Sequence, residues 1–353
     1  GAMMSFFNDC NIRCLQQDLQ AEGQRYYGLY SFLQIKGYNI IRYEQVRLNI
    51  VDKFFKLIDK KVPILFLVRD PISRLKTGVN HPFRKNLVRI DLKKDPHLNF
   101  FIREYLVDIK ENQKVYTKKP NLFPLNLYIS INHFAQSTLL NHFKSNEIIF
   151  IDCADISPLK AKSTIFELSQ KLNFSSSSSF GSLIYKYNTN SDFMAVLPVI
   201  LEIDDILIHV ATSNCINLNK QLDLINIYDF LFDKPFKYQN VGIYIKPKDY
   251  EKIKKNNLVL MLQKYLIEFM EILEEKIELE KAKLLKEEDV LNYFKENKEL
   301  RLKLKNILDK ELVHIKKYRP DIVASWKYYQ EFEKMCEELD GKNKIKQIEN
   351  SSN

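Results

Sequence analysis

Glycine is scarce in this chain, which has 8 glycines among 353 residues. Gly23, Gly28 and Gly37 are isolated, and no strand is predicted before Gly23. Neither Lys-x-Gly-Thr-Thr nor Gly-x-x-x-x-Gly-Lys-Ser/Thr occurs before residue 60. Because a loop that wraps a phosphate with backbone N–H groups needs such glycines, the sequence excludes a recognisable P-loop in this part of the chain.

Cysteine is also scarce, and the five cysteines are scattered and odd in number, which is typical of a reducing cytoplasm. Cys10 and Cys14 form a lone pair without His or Cys partners at ligand spacing, so the sequence predicts no zinc site. The acidic pair Asp204-Asp205 lies between two predicted strands, and we interpret it as a turn in preference to a metal ligand set. We therefore predict no metal cofactor.

Long hydrophobic runs are missing as well. No apolar run approaches the ~18 residues of a membrane span, and no signal peptide is visible. These absences predict a cytoplasmic protein, and they leave open a peripheral association with the inner face of the membrane.

The net charge of +9 is unevenly distributed. Residues 251–353 hold 22 Lys and Arg against 21 Asp and Glu, so the excess lies in the first 250 residues. Such an excess attracts an anionic donor, a polysaccharide or a membrane surface. Helix-turn-helix, zinc-finger and stacked-aromatic signatures do not stand out, so we predict no nucleic-acid partner.

The most informative stretch runs from Val62 to Gly78. Its apolar residues, Ile64 to Val68, do not alternate with polar ones, which is typical of a parallel strand that is buried on both faces. Pro71 suits the first turn of a following helix, where its missing N–H costs nothing. The sequence therefore predicts a buried strand that leads directly into a helix.

Polar residues lie where this strand meets the helix N-terminus, a place that collects phosphates. Arg69 and the hydroxyl of Thr77, eight residues later, resemble the nucleotide 3′-phosphate-binding motif of the sulfotransferase superfamily. The resemblance implies that Arg69 and Thr77 hold a donor phosphate. The candidate donor-binding residues are Arg69, Ser73, Arg74, Lys76 and Thr77. The alternative is that Arg69 and Asp70 cap the helix and pair with each other.

A second resembling segment follows. Residues 137–143 indicate a helix end, 146–152 a short buried strand and 165–172 another helix. That order is similar to the helix, strand, acidic turn and helix of sulfotransferases. With the first motif, the resemblance covers residues 38–175 and implies an α/β fold with a parallel sheet of sulfotransferase (P-loop-like) type.

We expect four regions along the chain. They are an N-terminal helical segment over 4–36, a sulfotransferase-like nucleotide-binding core over 37–180, further strands and loops over 181–250, and a C-terminal helical region over 251–350. The last region begins with an apolar stripe at spacings of three and four, formed by Leu262, Leu266, Phe269, Leu273 and Ile277. The sequence leaves open whether these helices cover an acceptor site or form a homodimer.

The segment from Arg319 to Tyr329, together with Arg69-Asp70-Pro71, resembles a narrower family. This family comprises sugar transferases of bacterial capsule gene clusters, which include O-methyl phosphoramidate transferases. The resemblance implies transfer of a methyl phosphoramidate group from a cytidine diphosphate-linked donor to a sugar hydroxyl of a capsular or other surface polysaccharide. Two alternatives stay open: a carbohydrate sulfotransferase that uses 3′-phosphoadenosine 5′-phosphosulfate (PAPS), and a non-catalytic glycan-binding or scaffold protein on the same fold.

Either transfer needs a base for the sugar hydroxyl and cations for the bridging oxygens. His81 is one candidate base, because it lies four residues after Thr77 and would share its helix face. Glu44, some two dozen residues before the Arg motif, is the rival. His133 begins a helix that leads to the second resembling segment and is a third candidate. Each also has a structural interpretation, as a helix-end or surface residue.

Overall fold

The computed structural model describes part of the predicted core and most of the C-terminal region. The described residues are 2–16, 31–32, 34–42, 62–80, 88–93, 122, 125–131, 134, 147–157, 159–176, 197–212, 223–234, 236–237, 241–255, 258–282 and 284–341.

All the strands of the described residues lie in the first 250 residues, where they alternate with helices, and the described elements after residue 250 are helices. The strands are β1 (Arg13–Gln16), β2 (Asn39–Arg42), β3 (Ile64–Val68), β4 (Val88–Asp91), β5 (Ile148–Asp152), β6 (Val199–Ile203), β7 (Ile206–Thr212), β8 (Ile225–Asn226) and β9 (Val241–Ile245). The helices are α1 (Ala2–Asp9), α2 (Pro71–Val79), α3 (Leu125–Ile131), α4 (Ala161–Leu172), α5 (Tyr228–Leu231), α6 (Pro247–Lys255), α7 (Val259–Ala282), α8 (Glu287–Glu296), α9 (Lys298–Glu311), α10 (Val313–Tyr318), α11 (Pro320–Ser325) and α12 (Lys327–Cys336).

The chain forms two compact units. The first unit combines Gly1–Val79, Leu122–Ile184 and Leu285–Asn353. The second unit combines Asn80–Asn121 and Tyr185–Leu284. Both units are therefore discontinuous in sequence, which the four consecutive predicted regions did not anticipate.

The first unit contains the parallel pair β3 and β5, in which Val68 lies opposite Asp152. Successive residues of a strand face opposite sides. Val68 and Phe150 pack with apolar residues of α2, α3 and α8 to α12. Ile149 and Ile151 pack instead with α1 and α4. Helices thus pack against both faces of the pair, but β3 itself is only partly buried, with Leu67 41% exposed, so the complete burial predicted from its apolar run is not found.

A second parallel pair, β1 and β2, belongs to the same unit. Among the described residues, the strands form these two parallel pairs and one five-stranded mixed sheet. An α/β unit built on parallel strands is therefore present, whereas a full sheet of sulfotransferase type stays a prediction. None of the described helices is long and apolar enough to cross a membrane.

The second unit is built on the sheet β4-β6-β7-β9-β8. β4 is parallel to β6, and the other neighbours are antiparallel. β6 and β7 form a hairpin whose turn is Asp204-Asp205. The predicted turn is confirmed, and the two carboxylates pair with Lys93 and Lys252.

Helix α7 covers this sheet with the apolar stripe that the sequence predicts. Leu266 and Ile277 are fully buried in one cluster with Ile208 and Ile243 of the sheet. The helical region predicted over 251–350 is therefore divided, with α7 in the second unit and α8 to α12 in the first. The spacing of a stripe tells which face of a helix is buried, but not which element buries it.

Candidate functional site

The candidate site lies at the carboxyl ends of β3 and β5. These strands are parallel neighbours, with Val68 opposite Asp152, so the residues that follow them emerge at the same edge. Arg69 and Asp70 follow β3, and Cys153 follows β5 in a single 3₁₀ turn, Cys153–Ile156. The carboxyl edge of parallel strands is where ligands bind in open α/β sheets.

Asp70 holds two helix N-termini together. Its Oδ1 accepts hydrogen bonds from the backbone N–H groups of Ile72 and Ser73, at 2.8 and 3.3 Å. Its Oδ2 accepts from the N–H groups of Tyr328 and Tyr329, at 3.0 and 3.1 Å. Burial raises the pKa of the Asp70 carboxyl, and these four N–H donors act in the opposite direction. Asp70 is thus the N-cap of α2, and its second oxygen binds two N–H groups in the first turn of α12, whose own N-cap residue is Trp326.

This double cap changes the expected role of the α2 N-terminus. Pro71 has no N–H, and the N–H groups of Ile72 and Ser73 donate to Oδ1 of Asp70. The N–H of Arg74 donates to the backbone carbonyl of Asp70. A phosphate would have to displace this carboxylate before it reached those groups. The helix N-terminus predicted to collect a phosphate is therefore closed by the chain itself.

Asp152 makes a matching contact at the end of β5. Its Oδ1 accepts from the N–H of Ala154 at 2.9 Å and so caps the 3₁₀ turn. Its Oδ2 accepts from Nε1 of Trp326 at 2.6 Å, in a buried hydrogen bond. The carboxylates at both strand ends are thus bound to the segment 326–329, which holds that segment against the site.

Two guanidinium groups lie at this edge. Burial lowers the pKa of Arg74, the carboxylate of Glu311 opposes this effect, and the nearby charge of Arg69 adds to the lowering. Arg74 also lies over the ring of Phe134, with 5.9 Å between Cζ and the ring centroid. Burial likewise raises the pKa of the Cys153 thiol, although Arg69 and Arg74 both act to lower it. Arg69, Arg74 and Cys153 are therefore within electrostatic range of one another.

Arg69 is half-buried and has no hydrogen-bond or ion-pair partner among the residues that the structure describes. The neighbouring Asp70 and Asp152 take their hydrogen bonds from backbone N–H groups and from Trp326. A guanidinium carries five N–H donors in a fixed fork that matches a phosphate or carboxylate. Arg69 is therefore equipped to bind an anionic group at the strand ends.

The other predicted donor-binding residues have partners of their own. Ser73 donates from Oγ to Oε1 of Glu287 at 2.9 Å, and Nζ of Lys76 lies 3.2 Å from the same oxygen. Burial raises the pKa of Glu287, but the bonds from Ser73 and Lys76 outweigh it and the pKa is lowered. Thr77 is exposed and donates from Oγ1 to the carbonyl of Ser73. The structure thus brings Arg69 and Arg74 together and turns Ser73 and Lys76 toward Glu287.

The three candidate bases, Glu44, His81 and His133, lie outside the described residues. In the part of the chain that is described, no group of His, Cys, Asp and Glu side chains is placed to hold a metal ion. The roles of Asp152, Trp326 and Glu311 were missed from the sequence. The sequence offered one signal for Asp152: it directly follows an apolar run, just as Arg69-Asp70 follows the run from Ile64 to Val68.

A family model described as a protein of unknown function (DUF2972) matches residues 150–339, which is more than half of the chain. The chain belongs to the DUF2972 family. The DUF2972 segment supplies Asp152, Cys153, Glu311 and Trp326 to the site, whereas Arg69 and Asp70 precede it. No curated protein and no solved structure matches the chain.

Proposed function

We propose that this DUF2972 protein is a cytoplasmic transferase that moves a small activated group from a nucleotide donor to a sugar hydroxyl of a surface polysaccharide. The observation that supports a donor site is the half-buried guanidinium of Arg69, beside Arg74, at the carboxyl edge of β3 and β5. Two arginines at such an edge suit a phosphate group, because each offers several N–H donors and a permanent charge.

In this proposal Arg69 binds the donor phosphate directly, and Arg74 adds positive charge without contacting the phosphate. Transfer of a phosphoramidyl or sulfo group depends mainly on positioning and on neutralisation of the oxygens that gain charge. Because Asp70, the residue after Arg69, accepts four backbone N–H groups, the backbone from which the guanidinium extends is held in a defined place. A base among His81, Glu44 and His133 would take the proton of the sugar hydroxyl.

The donor is proposed to be a cytidine diphosphate-linked methyl phosphoramidate, with PAPS as the alternative. A 3′-phosphoadenosine donor needs cations for two separate phosphate groups, and no glycine-rich loop that would hold the second is recognisable in the sequence. The closed N-terminus of α2 further favours a site that uses guanidinium groups instead of helix N–H groups. The positive charges of Arg69 and Arg74 match the charge of a single pyrophosphate group.

Thermal unfolding with nucleotides tests the donor. We expect cytidine diphosphate to stabilise the protein, because a ligand at 100 times its Kd adds ~2.7 kcal/mol to the free energy of unfolding. Adenosine 3′,5′-bisphosphate should add much less at the same concentration. Stabilisation by the adenosine bisphosphate alone would instead favour a PAPS-dependent sulfotransferase. If neither nucleotide shifts the unfolding temperature, the donor-binding proposal fails.

Turnover measurements on two variants separate the candidate bases. We expect His81→Ala to lower turnover with little change in nucleotide affinity, since a base acts on the acceptor and not on donor binding. Glu44→Gln should then be close to the parent protein. The opposite pattern would assign the base to Glu44, and normal turnover in both variants would leave His133 as the remaining candidate.

A further inference from the structure

The short helix α10 presents an exposed face of aromatic and basic residues. Val313 and Tyr318 are 53% and 56% exposed, whereas Ile315 is fully buried and anchors the helix in the core. The rings of His314 and Tyr318 are stacked with their centroids 6.4 Å apart. The helix therefore offers solvent a flat ring surface beside a small apolar residue.

Three exposed lysines surround this face: Lys310, Lys316 and Lys317. None of them forms an ion pair within the described part of the chain. Nζ of Lys317 lies 5.3 Å from the ring centroid of Tyr318, and Nζ of Lys316 lies 5.4 Å from that of Tyr329. Two of the three ammonium groups, those of Lys316 and Lys317, thus rest over aromatic rings, and the face carries positive charge that an anion would balance.

Both ends of α10 are attached to the candidate site. Glu311, just before the helix, interacts with Arg74, and its carboxylate accepts the N–H of Phe134. Arg319, directly after the helix, donates from Nη1 to the carbonyl of Phe150 in β5, at 3.4 Å. The residues that flank α10 on both sides are therefore in contact with β5 and with residues of the candidate site.

We propose that the α10 face, defined by Lys310, Lys316, Lys317 and Tyr318, binds the acceptor, and that the acceptor is an acidic saccharide. This inference rests on the proposed function and adds the substrate class of the acceptor. Acidic groups on the saccharide pair with the lysines, and the C–H face of a sugar ring packs on Tyr318.

Other anionic partners fit the α10 face less well. An anionic bilayer would need larger exposed apolar side chains than Val313 to enter the acyl region. Single-stranded nucleic acid is held by successive stacked rings, whereas α10 is 6 residues long and carries one stacked pair of rings, His314 and Tyr318. A short acidic saccharide matches both the charge and the size of the face.

Calorimetric titration with oligogalacturonate, and with uncharged dextran oligomers of similar length, tests the inference. We expect saturable binding of oligogalacturonate and none of dextran. Reversing two charges in Lys316→Glu/Lys317→Glu should weaken oligogalacturonate binding by about tenfold or more, because each attraction becomes a repulsion. The control Lys295→Glu/Lys334→Glu changes the net charge equally on exposed residues of α8 and α12 and should leave binding within about twofold.

Three results would overturn the acceptor surface. They are equal affinity of the two double variants, equal binding of dextran, and tighter binding of an oligonucleotide or of anionic vesicles than of oligogalacturonate at the same face. The donor is tested separately, by cytidine diphosphate. If nucleotide stabilises the protein and oligogalacturonate does not bind, the α10 inference fails alone. If oligogalacturonate binds through Lys316 and Lys317 and no nucleotide binds, the α10 face is supported as a saccharide-binding surface and the proposed transfer reaction is ruled out.

Discussion

Replacing Asp70 with alanine should lower the free energy of unfolding by about 2–4 kcal/mol. One N-cap replaced by alanine costs ~1 kcal/mol, and Asp70 caps α2 and also binds N–H groups in the first turn of α12. Asp70 is 8% exposed, so four backbone N–H groups would lose their partner in a site that water reaches poorly. Urea unfolding of the purified variant measures the loss.

Two further variants make this result interpretable. Asp70→Asn keeps one acceptor oxygen but turns an NH₂ group toward the other pair of N–H donors, so it should lose about half as much stability. Asp289→Ala removes an exposed carboxylate that accepts one N–H, that of Lys286, and should cost about 0.5–1 kcal/mol. If Asp70→Ala is no more destabilised than Asp289→Ala, the double cap does not hold the two helices together.

The second large effect is on nucleotide binding. Arg69→Ala should weaken the binding of cytidine diphosphate by about 10- to 100-fold, because hydrogen bonds to charged groups are worth about 1.5–3 kcal/mol. The protein should stay folded, since Arg69 has no hydrogen-bond or ion-pair partner among the described residues. Calorimetric titration measures the affinity directly. Thr77→Ala should have a milder effect, because its hydroxyl already donates to the carbonyl of Ser73.

Arg89 provides the matched control for this experiment. It is an exposed arginine on β4, which belongs to the sheet of the second unit. Arg89→Ala removes the same charge and should leave nucleotide affinity within about twofold. Unchanged affinity in a folded Arg69→Ala variant would remove Arg69 from the donor site.

Local patterns were good guides to the elements of the fold. The apolar run ending at Val68 and the proline at position 71 predict β3 and the start of α2, and both are found there. The stripe of α7 and the turn at Asp204-Asp205 are also present. Each of these features depends on residues within one or two turns of each other, so their spacing carries the information.

Long-range packing could not be obtained in the same way. The two N–H groups that bind Oδ2 of Asp70 belong to residues 258 and 259 positions later. Glu287 accepts a hydrogen bond from Ser73 and forms an ion pair with Lys76, and it lies 214 positions after Ser73. A helical period predicts that Ser73 and Lys76 share a face, but not that a carboxylate covers it. For this reason two predicted phosphate ligands have an acidic partner in the structure.

One long-range association did emerge from the sequence. The segments Arg69-Asp70-Pro71 and Arg319 to Tyr329 were selected together, because both resemble one family. In the structure Asp70 binds the N–H groups of Tyr328 and Tyr329. The two segments are therefore in contact, which spacing and periodicity do not predict.

A crystal structure with bound cytidine diphosphate tests the central claim most directly. We expect a phosphate oxygen within about 3 Å of the Arg69 guanidinium at the carboxyl ends of β3 and β5, with the Asp70 caps intact. A nucleotide bound in the second unit, or one whose phosphates contact the α2 N-terminus after displacing Asp70, would contradict it.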